Sequence, residues 1–531
     1  MACFSKMVYL GPLAVKTGIK DAPRRQTQDS MSKKRVLTLI SVSLFIAITS
    51  MLRRHLTSST TKLAMSTPTP KHAIVVGSGL AGLSAASQLI AHNIPVHMLE
   101  RAAKPGGNSI KASSGINGAP TRFQPGQPFL DTSFYDDTLK SAGKALATNT
   151  KRRERLISTL TDRSSDAVYW LMNEKSVDLT VVAQLGGHSF PRTHRGEGKT
   201  PPGASIVLTL LKRLKESPLF KLETSCQVTK VLQSGEDVQG VVYSCRGEQK
   251  EIHGSVIFAS GGFAGDAVGM LAQYRPDLAG FPSTNDPRPG SQDLLTSVGA
   301  QLLDMDLVQV HPTSFVDPKD PLNPVKFLAA EVLRGEGGLL LHEGKRFINE
   351  METRKNVTDA IVSFPSAETS PRQWDVQLVL DEGVYSKTSL HIDFYLWKGL
   401  MRKTTVGELG DKALVSIQEY ANAAGGRKND LFARNAFASW KLDHVTKQSV
   451  VYVGRVTPAV HFTMGGVVIN EKSEVLNADG KPINGLWAAG EVTGGIHGEN
   501  RLGGSSLLEC VVFGRIAGDS IVASLGHLNR E

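Results

Sequence analysis

Three glycines, Gly77, Gly79 and Gly82, stand at the spacing G-x-G-x-x-G, and an acid follows them at Glu100. Residues of this type in this order suit one task, holding a phosphate-bridged dinucleotide. The first glycine turns the chain, the second lets backbone approach a pyrophosphate, and the third lets a helix pack closely on a strand. Unpaired N–H groups and the positive dipole end at the start of that helix attract the phosphates. Glu100 is placed to accept hydrogen bonds from an adenosine ribose. Ser78, Leu80 and Ala81 complete the turn, and Arg101 follows the acid. Alone the motif also describes a glycine-rich turn that binds nothing, so the surrounding elements must decide.

Those elements have the required order. Ala73 to Val76 is a short apolar run that predicts a buried strand, the glycines open a helix, and Pro95 to Leu99 predicts a second strand ending at Glu100. This is the start of an α/β nucleotide fold of Rossmann type. At 531 residues the chain has room for further domains.

The net charge of +10 is confined to one end: residues 1–71 hold 12 Lys or Arg against 2 Asp, and the rest of the chain balances at 48 of each sign. The folded part is therefore neutral, which excludes nucleic acid as a partner. Cys3, Cys226, Cys245 and Cys510 form no C-x-x-C pair, so no structural zinc, iron–sulfur or c-type haem site is predicted. Cys226 and Cys245 flank a hairpin (Cys226 to Leu232, Val238 to Cys245) and either pair in an oxidising compartment or stand unlinked.

The first 70 residues read as an address and linker. Val36 to Leu52 is a 17-residue apolar run between Lys33-Lys34-Arg35 and Arg53-Arg54. Its length suits a secretory core or a membrane tether, while scarce acid with abundant Arg, Lys, Ser and Thr also fits a mitochondrial presequence. Endoplasmic reticulum and mitochondrion both stay open, and a form starting at Met65 would be cytosolic. Ser66 to Pro70 is a linker.

Past the second strand, Gly106-Gly107-Asn108-Ser109 and Ser113-Ser114-Gly115-Ile116-Asn117-Gly118 supply small residues and backbone amides for a flat, phosphate-bearing group. Together with Gly77 to Glu100, this run resembles the FAD-binding half of the fumarate reductase and succinate dehydrogenase flavoprotein family. In membrane-bound members a histidine here carries FAD covalently. No histidine lies between His97 and His188, and Asn108 falls near that place, so the resemblance implies non-covalent FAD. It also implies a glutathione-reductase-type FAD domain. Val256 to Phe263 resembles the family's second FAD strand through Ala259, Ser260 and Gly261, and Val228, Asp293, Gly490, Glu491, Ser505, Ser506 and Leu507 are carried over as cofactor contacts.

Lys140 to Asn173 predicts a helix, Gly186 to Gly203 a loop in which His188 and His194 serve hydrogen bonds, and Leu507 to Leu525 a final helix. The segment 309–462 lacks the nucleotide pattern. The resemblance makes it an α+β capping domain, inserted between the two parts, 71–308 and 463–531, of the FAD domain.

Within the cap, Glu331-x-x-Arg334-Gly335, then Gly344-x-Arg346-Phe347-x-Asn349-Glu350, then Thr353-Arg354 resemble the soluble fumarate reductases, most of all the fungal ones. By that resemblance Arg354 is the proton donor and Glu331 and Arg334 its relay. Ala330 stands where some bacterial relatives have threonine. On residue type alone, Arg334, Arg346 and Arg354 could simply pair with Glu331, Glu350 and Glu352. The motif His461-x-Thr463-Met464-Gly465-Gly466, with His311 and Arg501, supplies the partners a dicarboxylate needs: His311, His461, Thr463 and Arg501 are assigned to substrate. Arg501 doubles as a cofactor contact.

The implied reaction is reduction of fumarate to succinate, with hydride passing from flavin N5 and a proton from Arg354. No quinone, iron–sulfur or NADH site is read, so electrons would come from a free reduced flavin or a separate reductase. A monomer is expected. The rival readings are another FAD enzyme of the superfamily, such as a urocanate reductase or L-aspartate oxidase, and a tethered flavin carrier without catalysis.

Overall fold

The structure, a computed structural model, describes residues 72–125, 131–198 and 200–527. The apolar run Val36 to Leu52 and the alternative starts lie outside them. Among the described residues no helix is long and apolar enough to cross a membrane.

Five parallel strands form the sheet behind the glycine turn. In spatial order they are Pro482–Ala488, Ser255–Phe258, Ala73–Val76, Val96–Glu100 and Phe220–Thr224, with Glu474–Leu476 added antiparallel at one edge. Ala73–Val76, buried throughout, sits in the middle, as a continuous apolar run in a parallel sheet must. The glycine helix Leu80–Ala91 follows, and the C-terminal helix Ser505–His527 lies on it. Gly514 and Gly518 permit that approach: a Cβ at Gly514 would stand 2.5 Å from Ala81 O, and one at Gly518 2.8 Å from Gln88 Cβ.

A three-stranded antiparallel meander, Cys226–Ser234, Asp237–Cys245 and Glu248–His253, extends from this layer. Cys226 and Cys245 stand opposite one another, with Cα atoms 4.2 Å apart and their sulfurs bonded. Of the two readings open in the sequence, the structure takes the paired one.

A second, seven-stranded antiparallel sheet contains Val308–Phe315, Val450–Thr463, Val376–Leu380 and Leu339–His342 as its central run. It has its own apolar core, which includes Leu333, Leu340, Val379 and Val456. Val308 pairs with Thr463 and Gln309 with Phe462, so the chain enters and leaves this layer at one ladder. That ladder delivers His311, His461 and Thr463 to one place although up to 152 residues separate them.

The predicted helix from Lys140 to Asn173 is broken. Phe134–Ala142 ends at Gly143, which has φ +60°, and Thr150–Asp162 starts after Asn149 at φ +56°. Both residue types tolerate the left-handed region, and a Cβ at Gly143 would meet the Glu499 carboxylate. Tertiary contact therefore overrides the helical spacing.

Candidate active site

The glycine turn, the loop Gly106–Gly115, the ends of the central strands and the N-terminus of the last helix enclose a cavity of about 740 Å3. Helix Glu382–Lys398 of the second layer closes its far side through Lys387, Thr388, His391, Phe394 and Tyr395. His391 Nε2 lies 3.0 Å from Ser113 O, joining the two walls.

At one end of the cavity cationic side chains gather. Arg354, at the start of helix Arg354–Val362, lines it, and Thr353 caps that helix by accepting from Asn356 N–H. Arg354 donates through Nε to Glu331 Oε2 at 2.7 Å, again through Nη2 to the same oxygen, and through Nη1 to Gln309 Oε1 at 2.8 Å. Arg334 Nη2 stands 3.6 Å from Glu331 Oε1. Glu331 and Arg334 are buried behind Arg354 and do not line the cavity. Burial pushes the Glu331 carboxyl up, but Arg354 and Arg334 outweigh it and hold it below the usual carboxylate range. Arg334 is in turn braced: it donates to Glu350 O at 2.7 Å, and Arg434 donates both to Arg334 O at 2.7 Å and to the Glu350 carboxylate at 3.0 Å.

Arg501 is different. It lines the cavity, is buried, and lies over the Phe462 ring at 4.3 Å, yet it has no carboxylate at ion-pair distance among the described residues. Its Nη1 donates to Leu502 O at 3.2 Å, and its Nε is buried without a partner. Burial, then the neighbouring Arg354, lowers its pKa to about 9. Burial also holds His461 well below the ordinary imidazole value, with Arg354 and Arg501 adding to the effect. His461 Nδ1 sits 2.9 Å from Thr284 Oγ1, and its ring meets that of His311 edge-on at 5.4 Å. An unpaired buried cation beside neutral imidazoles is a pocket that an anion would complete.

Comparison with known proteins decides the family. The FAD binding domain family matches residues 72–507. Fumarate reductase 1 of Saccharomyces cerevisiae is 44% identical over 473 residues, covering 84% of this chain and 98% of that protein. Fumarate reductase of Schizosaccharomyces pombe is 38% identical over 490 residues, covering 88% and 92%. The solved open conformation of a flavocytochrome c3 fumarate reductase has a TM-score of 0.66 at 28% identity, covering 95% of this chain and 84% of that one. The chain belongs to this FAD-binding family. It is an FAD-dependent oxidoreductase of the class acting on CH–CH groups.

The FAD fold explains the cavity's construction. Gly77, at φ +106°, has no room for a Cβ, which would fall 2.3 Å from Ala259 O. A Cβ at Gly107 would stand 3.4 Å from Gly79 Cα, so the two glycine loops approach backbone to backbone across the cradle. Leu80 N–H donates to Ser109 Oγ at 3.1 Å. Glu100 accepts from Ser78 N–H at 3.0 Å and Ala102 N–H at 2.7 Å, which ties the acid at the end of the second strand to the glycine turn.

Of the cofactor residues expected from sequence, Gly77, Ser78, Gly79, Leu80, Ala81, Glu100, Arg101, Gly107, Asn108, Ser109, Ser113, Ser114, Gly115, Val228, Ala259, Ser260, Gly261, Gly490, Glu491, Arg501, Ser506 and Leu507 line the cavity. Five do not. Gly82 packs beneath the turn, where a Cβ would fall 2.1 Å from Gly77 O. Ile116 is core, and Asn117 donates to Gly503 O at 2.8 Å and Ser505 Oγ at 3.0 Å, so Asn117 and Ser505 brace the wall from behind. Asp293 corrects the expectation more sharply: it is exposed in the first turn of helix Gln292–Thr296, whose start brings Ser291 and Leu294 to the cavity instead.

Of the substrate residues, His461 and Arg501 line the cavity, whereas His311 and Thr463 stand behind them. Thr463 N–H donates to Glu491 Oε1 at 3.0 Å and its hydroxyl lies 3.4 Å from the same oxygen. His188 and His194 make the loop hydrogen bonds expected of them, His188 to Gly503 O at 3.0 Å and His194 to Leu179 O at 2.9 Å. Sequence reasoning missed Gln309 and Asn500. Gln309 Nε2 donates to Asn500 Oδ1 at 3.2 Å and Arg501 O at 2.9 Å while its Oε1 takes Arg354, so one amide links the two arginine segments. Only its place two residues before His311 hinted at this.

Glu491 gives a pH-dependent prediction. Burial raises its carboxyl from 4.5 to about 7, against the hydrogen bond from Thr463 and the charge of Arg501. Its folded pKa therefore exceeds the unfolded one, and its contribution to stability is full below pH 4.5 and lost as pH rises through about 7. The difference is on the order of 3 kcal/mol. In FAD-free protein, the stability of Glu491→Gln relative to wild type is expected to grow between pH 5 and pH 8 by roughly that amount. Denaturant melts at the two pH values measure it, and parallel curves would refute it.

Proposed function

We propose that the protein reduces fumarate to succinate, with non-covalently held FAD. The carrying observation is the buried Arg501, without an ion-pair partner among the described residues, facing the same cavity as Arg354 and His461. One carboxylate of a small diacid would compensate Arg501, and His461 would hold the other by a hydrogen bond. The guanidinium of Arg501 offers the fork that binds a carboxylate bidentately. His461, neutral, donates a hydrogen bond without adding charge, and His311 fixes its ring from behind.

Reduced FAD, when bound, supplies hydride. Polarisation of the substrate falls to Arg501 and His461, which hold its carboxylates and stabilise negative charge developing next to one of them. Arg354 delivers the proton to the other alkene carbon. Release of a guanidinium proton is unfavourable, so it must be brief, and the geometry supports prompt return: Nε and Nη2 of Arg354 both rest on Glu331 Oε2, and Arg334 lies beyond Oε1. Burial lowers the Arg334 pKa, with Glu331 opposing, which eases passage of a proton along the series. We read the second layer as a cap whose closure excludes water. By the resemblance Asn108 falls near the place of a covalent FAD ligand, and an amide offers no such bond. The similarity to two fungal fumarate reductases supports the reaction proposed.

Anaerobic mixing of photoreduced protein with fumarate or urocanate, and of oxidised protein with aspartate, tests the reading. Fumarate is expected to restore the oxidised flavin spectrum; reoxidation by urocanate alone, or bleaching of the oxidised flavin by aspartate, would replace it with a rival. Electrons are proposed to arrive from a free reduced flavin or a separate reductase, and steady turnover of the pure chain with NADH would contradict this.

A further inference from the structure

One buried polar cluster lies beside the site and plays no part in the chemistry above. Arg192, fully buried, donates through Nε and Nη2 to the two oxygens of Asp131 at 2.8 Å each and through Nη1 to Asp137 Oδ2 at 2.6 Å. The same Nη1 lies 3.0 Å from His188 Nδ1. A guanidinium has donors only, so Nδ1 must accept and the imidazole proton must sit on Nε2. That proton points at Gly503 O, 3.0 Å away, which also accepts from Asn117. The peptide of Gly503 is thus held by two donors. It follows Arg501 and Leu502 directly and presses on the proton-delivering pair: a Cβ at Gly503 would stand 2.8 Å from Glu331 Oε2 and 3.3 Å from Arg354 Nη2.

We propose that His188 is a positioning residue, its tautomer set by Arg192, that keeps the Gly503 peptide seated against Glu331 and Arg354 so that proton delivery stays aligned and dry. This rests on the reading of Arg354 as proton donor. The groups facing His188 are Arg192 on its own loop, Asp137 from helix Phe134–Ala142, and Glu331. Burial, followed by Arg192, lowers its pKa to about 4, so the neutral tautomer persists across the working range. His188 does not line the cavity and touches neither cofactor nor substrate space.

Two substitutions separate the contacts. His188→Asn keeps an acceptor near Arg192 but is too short to reach Gly503 O; His188→Gln keeps a donor at the reach of Nε2. Each holoenzyme is photoreduced and mixed with fumarate in H2O and in D2O, and FAD content is measured. For H188N the single-turnover reoxidation rate is expected to fall about tenfold to a hundredfold, with half-saturating fumarate changed less than about threefold, FAD retained and the solvent isotope effect enlarged. H188Q is expected to recover most of the rate. The proposal is overturned if H188N reoxidises at the wild-type rate, if both variants lose rate and FAD together, or if the isotope effect does not move. A wild-type enzyme that fumarate fails to reoxidise overturns the functional reading itself, and this proposal with it. Normal reoxidation by wild type with an unaffected H188N overturns the proposal alone.

Discussion

Replacing Arg354 by methionine is expected to lower fumarate-driven reoxidation of the flavin by at least about a hundredfold, the lower scale of general acid catalysis, while FAD stays bound. Arg354 meets the cavity at its cationic end, away from the glycine cradle that would carry the nucleotide. Its loss removes three hydrogen bonds, two of them to Glu331, and leaves that buried carboxylate facing Arg334 alone. Removing one partner of a buried ion pair typically destabilises by about 3–5 kcal/mol, so a lowered melting temperature should accompany the lost activity. The control is Arg354→Met combined with Glu331→Leu and Arg334→Leu, because Glu331 is the ion partner of Arg334 as well. It is expected to regain stability without regaining rate, because packing three apolar side chains removes the buried charges but provides no acid. If R354M keeps more than about a hundredth of the wild-type rate, the proton comes from elsewhere.

The second large effect concerns the cofactor. Gly82→Ala is expected to yield protein that purifies without flavin and melts early. The added methyl would fall 2.1 Å from Gly77 O and 3.1 Å from Val75 Cγ1, atoms of the turn and of the central strand that cannot both yield. Overpacking of this kind typically costs about 1–3 kcal/mol, and here the strain displaces the phosphate turn itself. Gly79→Ala gives the contrast. Its Cβ meets only Ser109 Oγ at 3.6 Å, an ordinary contact, but it projects where the cofactor backbone must approach. G79A should therefore fold normally and bind FAD weakly. Flavin absorbance per protein and melting temperature read both outcomes, and a fully flavinated G82A with wild-type stability would show that the strand–turn–helix contact is not what shapes the site.

Much of the site was legible because its chemistry is written locally. A turn that must take φ +106° at Gly77 and bring backbone to a phosphate calls for glycine at set positions, whatever the rest of the chain does. Glu331 and Arg334 share a short helical turn, and Arg354 opens a helix with its own threonine cap, so their spacing also survives in the sequence. The long helix expected over Lys140 to Asn173 failed for the opposite reason. Its periodicity was real, but Gly143 answers to the distant Glu499, and Asn149 at φ +56° breaks the helix a second time.

By itself the amino-acid sequence determined the nucleotide turn, the strand and helix around it, the acid that ends the next strand, and the residue types able to grip an anion. Tertiary structure alone decided which of those residues face the cavity. It set His461 in the wall and His311 behind it, left Asp293 in solvent, folded the helix Glu382–Lys398 over the opening, and linked Arg354 to Arg501 through Gln309. It also decided that Arg354 has a carboxylate partner and that Arg501 has none at ion-pair distance among the described residues. The physical reason is that a side chain's charge balance and exposure are sums over neighbours contributed by remote segments, and local spacing carries no record of those segments.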